Sequence, residues 1–183
     1  MRLRRLLPSA VALFVAAPAW AHPGHGDGGG FVAGLLHPFT GADHLAAMLM
    51  IGAIAGLSNG RARAAIPLAF VAAAILGFAT GVDHESAAIV ELLILVSVIV
   101  AAAIAAAKLV DGNRFQPPWL LPAIALFGAA HGFAHGSELS RNGSALWFGI
   151  GFVAGTISLQ SLGYLVGRLA GPHLVRRRQS NIL

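Results

Sequence analysis

The chain has 183 residues, of which 57% are hydrophobic and only 10% charged. Soluble domains carry about 25% charged residues, so that class is excluded, and the apolar residues fall in blocks long enough to cross a bilayer. The net charge of +5 does not imply a nucleic-acid partner, because the basic residues sit in short runs beside apolar blocks, where they set membrane orientation.

The first 21 residues read as an address. Arg2, Arg4 and Arg5 precede a short apolar stretch from Leu6 to Ala17, and Ala19-Trp20-Ala21 supplies the small-residue site of a cleavable secretory signal. The alternative is an uncleaved first helix. Cleavage would leave His22 at the head of a His- and Gly-rich periplasmic tail, residues 22–30. The free amine, His22 and His25 could form a modest metal chelate there; a plain exposed tail is the equal alternative.

The expected fold class is all-α. After the signal, the apolar blocks predict a polytopic bundle of about five transmembrane helices, near 31–57, 64–82, 87–107, 119–139 and 145–169. The helical domain is expected over 31–170, followed by a basic cytoplasmic tail over 171–183. A cleaved signal puts the mature amino terminus in the periplasm, and five spans bring the carboxyl terminus to the cytoplasm. Arg61, Arg63, Lys108, Arg114, Arg168, Arg176, Arg177 and Arg178 then lie inside and only Arg141 outside, as the positive-inside rule requires. The expected location is the bacterial inner membrane.

The first span carries His37, Asp43 and His44 in the run HPFTGADH. Pro38 disfavours helix at His37, and Thr40 with Asp43 three residues later resembles a capping box, so the helix proper is expected to begin near Thr40, with residues 31–37 as a separate outer segment of a broken span. Transporters build substrate sites at such breaks. His37, Asp43 and His44 are candidate metal ligands; Asp43 as a cap alone is the structural alternative, and the two roles are compatible. Met48, one turn after His44, is read as packing. Glu91, early in the third span, is either a ligand, a partner of a ligand, or a helix-packing acid. His84 and Glu85 before it are read as solvated loop residues.

The fourth span carries His131, His135 and Glu138, spaced i, i+4 and i+7, which puts three ligand types on one face. Gly132 and Gly136 are expected to keep the neighbouring surface open. Ionisable groups inside a bilayer are costly and face a cavity or a partner. With no cysteine in the chain, imidazole and carboxylate are left to hold a borderline divalent cation such as nickel, cobalt, zinc or copper. Satisfied packing histidines are the structural alternative. In the last span, Gly151 with Gly155 and Gly163 with Gly167 are small-residue pairs, read as packing within one protomer before a homo-oligomer interface. Thr156, Ser158, Gln160 and Ser161 are read as interhelical hydrogen-bond formers.

With both segments in order, the sequence resembles the HupE/UreJ family of bacterial nickel permeases. The resemblance rests on His37, Asp43 and His44 as H-x-x-x-x-x-D-H, and on His131, Gly132, His135, Gly136 and Glu138 as H-G-x-x-H-G-x-E. Ala130 departs from the aromatic expected before His131, a matter of local packing. The resemblance implies uptake of metal, nickel first, from the periplasm for a hydrogenase or urease. No resident cofactor is expected, only the transported ion; the partners are that ion and the lipid bilayer. No P-loop is visible, so the expectation is a secondary transporter and not an enzyme. An intramembrane zinc-dependent hydrolase, and a membrane-bound metal sensor or chaperone, are the alternatives.

Overall fold

The computed structural model describes residues 30–82, 84–85, 88–111, 116–139 and 144–179. The expected signal peptide, His22, His25, Arg114 and Arg141 lie outside them. All regular secondary structure among the described residues is helical: α1 Phe31–Leu36, a 3-10 turn His37–Phe39, α2 Ala42–Gly56, α3 Ala62–Gly81, α4 Ala88–Asp111, α5 Leu120–Ser137 and α6 Ala145–Gln179.

Three helices, α3, α4 and the Ala145–Gly171 part of α6, are long and apolar enough to cross a membrane, and α1 with α2 makes a fourth span if the bent pair counts as one. The fifth expected span, α5, is 18 residues long and falls outside that group. Its own His131 and His135 dilute an otherwise apolar sequence. Large apolar side chains such as Leu68, Leu76, Leu146 and Leu169 stand exposed on the outer surface, whereas His131, His135, Thr156 and Gln160 are buried. This inverted distribution is what a lipid solvent selects.

The break in the first span is real, with α1 and α2 bent by 83°. Its position is close to the expectation: the first piece ends at Leu36 with His37 as its C-cap, and α2 begins at Ala42, just beyond Thr40. His37 stays helical at φ −55°, ψ −47° despite Pro38, and the chain opens at Gly41, φ −97°, ψ 125°. Pro38 occupies the first turn of the 3-10 segment, where its fixed φ suits the helix start. The capping box does not form either. Gly41 is the N-cap of α2 without a side-chain cap, and the Thr40 hydroxyl donates to the His37 carbonyl at 2.8 Å.

Helix pairing runs through glycine. α3 packs along α5, and α1 and α2 pack along α6. On α5, Gly128, Gly132 and Gly136 face the carbonyls of Phe70, Ala74 and Phe78, while Gly77 and Gly81 of α3 face those of Ala129 and Phe133. Gly132 and Gly136 are therefore covered by α3, not open as expected. On α6, Gly151 and Gly155 receive the carbonyls of Phe31 and Leu35, and Gly163 and Gly167 those of Leu49 and Ala53. Both small-residue pairs thus pack within the protomer. Without a hydrophobic drive in lipid, close backbone contact of this kind holds helices together.

Two further expectations fail. The Ser158 hydroxyl donates to Ala154 in its own helix, and neither the Thr156 hydroxyl nor the Gln160 Nε2 has a hydrogen-bond partner among the described residues. These side chains do not tie helices together as expected. Lys108, expected in an inner loop, sits buried in the last turn of α4, because that helix runs on to Asp111.

Candidate metal centre

The histidines reach one place because of a one-residue offset on α5. Glycines at 128, 132 and 136 give one face to α3, and the adjacent face, about 100° round, carries His131 and His135 toward the α1–α2 break. The bend in turn swings His37 and His44 to that face from opposite sides of Gly41.

The result is a crossed arrangement. The His37 ring meets the His135 ring edge-on with centroids 4.5 Å apart, and His44 lies 4.5 Å from His135 and 5.2 Å from His131. The histidines of each motif therefore pack against those of the other. Glu138, at the C-cap of α5, accepts a hydrogen bond from His37 Nε2 at 2.9 Å and stands 3.7 Å from His135 Nδ1. His37, His135 and Glu138 each offer a ligand atom, all within 4.8 Å of one another. Two ligands at about 2.1 Å from one metal can be at most about 4.2 Å apart, so small side-chain rotations suffice to gather this set.

Asp43 acts on His44. Its Oδ1 accepts from the His44 backbone N–H at 2.8 Å and from the ring Nδ1 at 2.9 Å. His131 Nδ1 likewise donates to the Phe127 carbonyl at 2.8 Å. Carboxylate and carbonyl can only accept, which assigns the ring proton of both histidines to Nδ1 and leaves Nε2 as a bare lone pair. Both of those Nε2 atoms, and the Nε2 of His135, are buried with no hydrogen-bond partner among the described residues, while His135 Nδ1 faces Glu138. Buried polar atoms are nearly always paired, so three such Nε2 atoms on three adjacent rings are unusual.

Exposure falls steadily inward. The Glu138 and His37 side chains are 39% and 30% exposed, His44 is 14%, and His135 and His131 are sealed at 1% and 0%. Aromatic rings wall the group: Phe148 on His37, Phe152 on His135 and Phe70 on His131. Sequence reading passed over these three. The signal was present for two of them, since Phe148 and Phe152 are one helical turn apart on α6 and so share a face.

The remaining candidates lie apart. Glu91 is exposed in the first turn of α4 and is not part of the three-residue group. His84 and Glu85 are exposed, as expected, with His84 Nδ1 donating to the Val82 carbonyl. Met48 is buried in the hydrophobic core, as packing requires.

The sequence model described as "HupE / UreJ protein" matches residues 10–180. The chain belongs to the HupE/UreJ family. It is similar to "Protein HupE" of Rhizobium leguminosarum bv. viciae, with 31% identity over 164 residues, covering 89% of this chain and 83% of that protein. No solved structure matches. The crossed pairing of the two histidine segments comes from the bend and the glycine packing.

Proposed function

We propose that this family member is a secondary transporter that admits a borderline divalent cation, nickel first, from the periplasm to the cytoplasm. The observation that carries this reading is the set of three imidazole Nε2 atoms on His44, His131 and His135 without a hydrogen-bond partner among the described residues, beside the half-exposed pair His37 and Glu138. A structural histidine cluster would consume its lone pairs in hydrogen bonds; here the Nε2 atoms of three neighbouring rings have no hydrogen-bond partner among the described residues.

The ion, as substrate, is captured by Glu138, His37 and His135, the carboxylate offsetting its charge while water is shed. It then passes to His44 and His131, deeper in the bundle and next to Phe70. Two overlapping sets that share His135 allow one ligand to be released as the next is gained. Conduction needs such moderate, multiple sites, because a single tight site would retain the ion. Imidazole and carboxylate suit nickel, cobalt, zinc and copper(II), so the preference for nickel comes from the family resemblance. Asp43 is proposed to orient His44, in the way carboxylates hold metal-binding histidines. Glu91, His22 and His25 have no assigned part in this path.

The test is uptake of radioactive nickel into proteoliposomes by wild type and His131→Ala, with cobalt, zinc and copper as competitors. Accumulation that is lost in the variant supports the transporter, and the competition order ranks substrates. Correctly inserted protein that binds nickel without moving it would overturn transport in favour of a sensor or an enzyme.

A further inference from the structure

A second feature lies at the far end of α2 from the histidines. The chain turns from α2 to α3 through Gly60, whose φ of 58° lies in the left-handed region. That turn holds Arg63 at the mouth of an open-sided cavity of about 610 Å³. α2 floors it with Gly52 and Ala55; α3 and α6, which touch each other far less than they touch α5 and α2, form its walls.

Its chemistry is that of an amphiphile. The walls are apolar, with Pro67, Leu68 and Val71 on one side and Ile157 and Leu165 on the other. The basic end carries Arg63, whose Nε donates to the Ser58 carbonyl and whose Nη2 donates to Asn59, while no acceptor among the described residues takes Nη1. Midway down, Gln160 is only 4% exposed, lines the cavity, and has no partner for its Nε2. From Arg63 to Val71 is eight helical residues, or about 12 Å, and Gln160 lies one turn, about 6 Å, beyond Tyr164 at the mouth.

We infer that this cavity binds an anionic glycerophospholipid, with the phosphate at Arg63, an ester carbonyl accepting from the buried Gln160 amide, and an acyl chain along Leu68, Val71 and Ile157. Charge complementarity selects this occupant. A neutral helix of a second copy would leave the arginine unanswered, and a metal ion would be repelled by it. An unpaired amide in hydrocarbon costs free energy, and an ester carbonyl at that depth removes the cost. The site is independent of the histidine cluster and of the direction of transport.

The test is native mass spectrometry of the full chain in mild detergent, with added phosphatidylglycerol or phosphatidylcholine of identical acyl chains. Wild type should retain one phosphatidylglycerol in preference to phosphatidylcholine. Arg63→Gln should weaken that retention by about fivefold, the weight of one basic residue near an anionic surface. Arg168→Gln, an exposed arginine outside the cavity, should leave it unchanged. Ala64 lines the mouth but is exposed, so Ala64→Trp should block either lipid without disturbing the core. Ether linkages in place of esters should weaken binding to wild type but not to Gln160→Leu; equal sensitivity in both would overturn the assignment of the ester to Gln160. Equal retention of the two lipids, equal weakening by Arg63→Gln and Arg168→Gln, or a lipid-free dimer in place of the lipid adduct would overturn the site.

Discussion

Replacing Asp43 by Asn separates a carboxylate that orients a ligand from one that is itself a ligand. In the structure its Oδ1 takes two hydrogen bonds, from the backbone and the ring of His44, at 2.8 and 2.9 Å. Asn keeps an acceptor at that position but loses the charge. A hydrogen bond to a charged group is worth about 1.5–3 kcal/mol, and the lower end applies because the Asp43 side chain is 40% exposed. About 1.5 kcal/mol corresponds to roughly tenfold weaker nickel binding, within the range found when a carboxylate behind a metal-bound histidine is removed. Calorimetric titration of the protein in nanodiscs measures this directly, with His44→Ala as the reference for loss of a ligand. If Asp43→Asn abolishes binding as completely as His44→Ala, Asp43 is a ligand and the orienting role is wrong. If binding is unchanged, the Asp43–His44 hydrogen bond has no part in metal affinity.

Three further outcomes follow from the same geometry. His37→Ala should raise the nickel concentration needed for half-maximal uptake, whereas His131→Ala should lower the maximal rate; initial rates that change alike in both variants would contradict two sets in series. Gly132→Ala drives a methyl into the Ala74 carbonyl and should cost about 1–3 kcal/mol, read as a lower thermal midpoint in detergent. Unaltered stability there would mean that α3 and α5 adjust easily. Uptake should fall from neutral to mildly acid pH, because an imidazole must be deprotonated to ligate; a flat profile would count against histidine ligation.

Much of the site was legible in the sequence because its members are local. His131, His135 and Glu138 announce themselves by helical spacing, and the run around Pro38 and Thr40 announces a broken span. Pairing across the bundle was not legible. His37 and Glu138 are 101 residues apart, and which histidine meets which depends on the bend angle and on how α5 is rotated. That rotation is set by Gly128, Gly132 and Gly136, whose role could not be read without knowing that α3 supplies the opposing carbonyls. The helical conformation of His37 has a similar origin. Pro38 can begin a short 3-10 turn as well as end a helix, and the local sequence permits both. Hydropathy understated α5 because the residues that make it functional also make it less apolar.

The broken span also decides the electrostatics of the centre. Helix C-termini present partial negative charge and N-termini partial positive charge, each effective within about one turn. His37 forms the C-cap of α1 and Glu138 that of α5, so both helices turn their cation-favouring ends to the site. α1, with 6 residues, contributes less than α5, with 18. α2 does the opposite, since its N-terminus at Gly41–His44 also faces the cluster and would repel an incoming cation. Asp43 stands in that first turn, where a carboxylate neutralises the dipole and at the same time fixes the His44 ring. An uninterrupted first span would bring no helix end of its own here, leaving the C-terminus of α5 alone to favour the cation. The bend therefore gathers ligands from both sides of Gly41 and brings one helix terminus that favours the cation. Its other terminus requires an acid beside it, and Asp43 occupies that position.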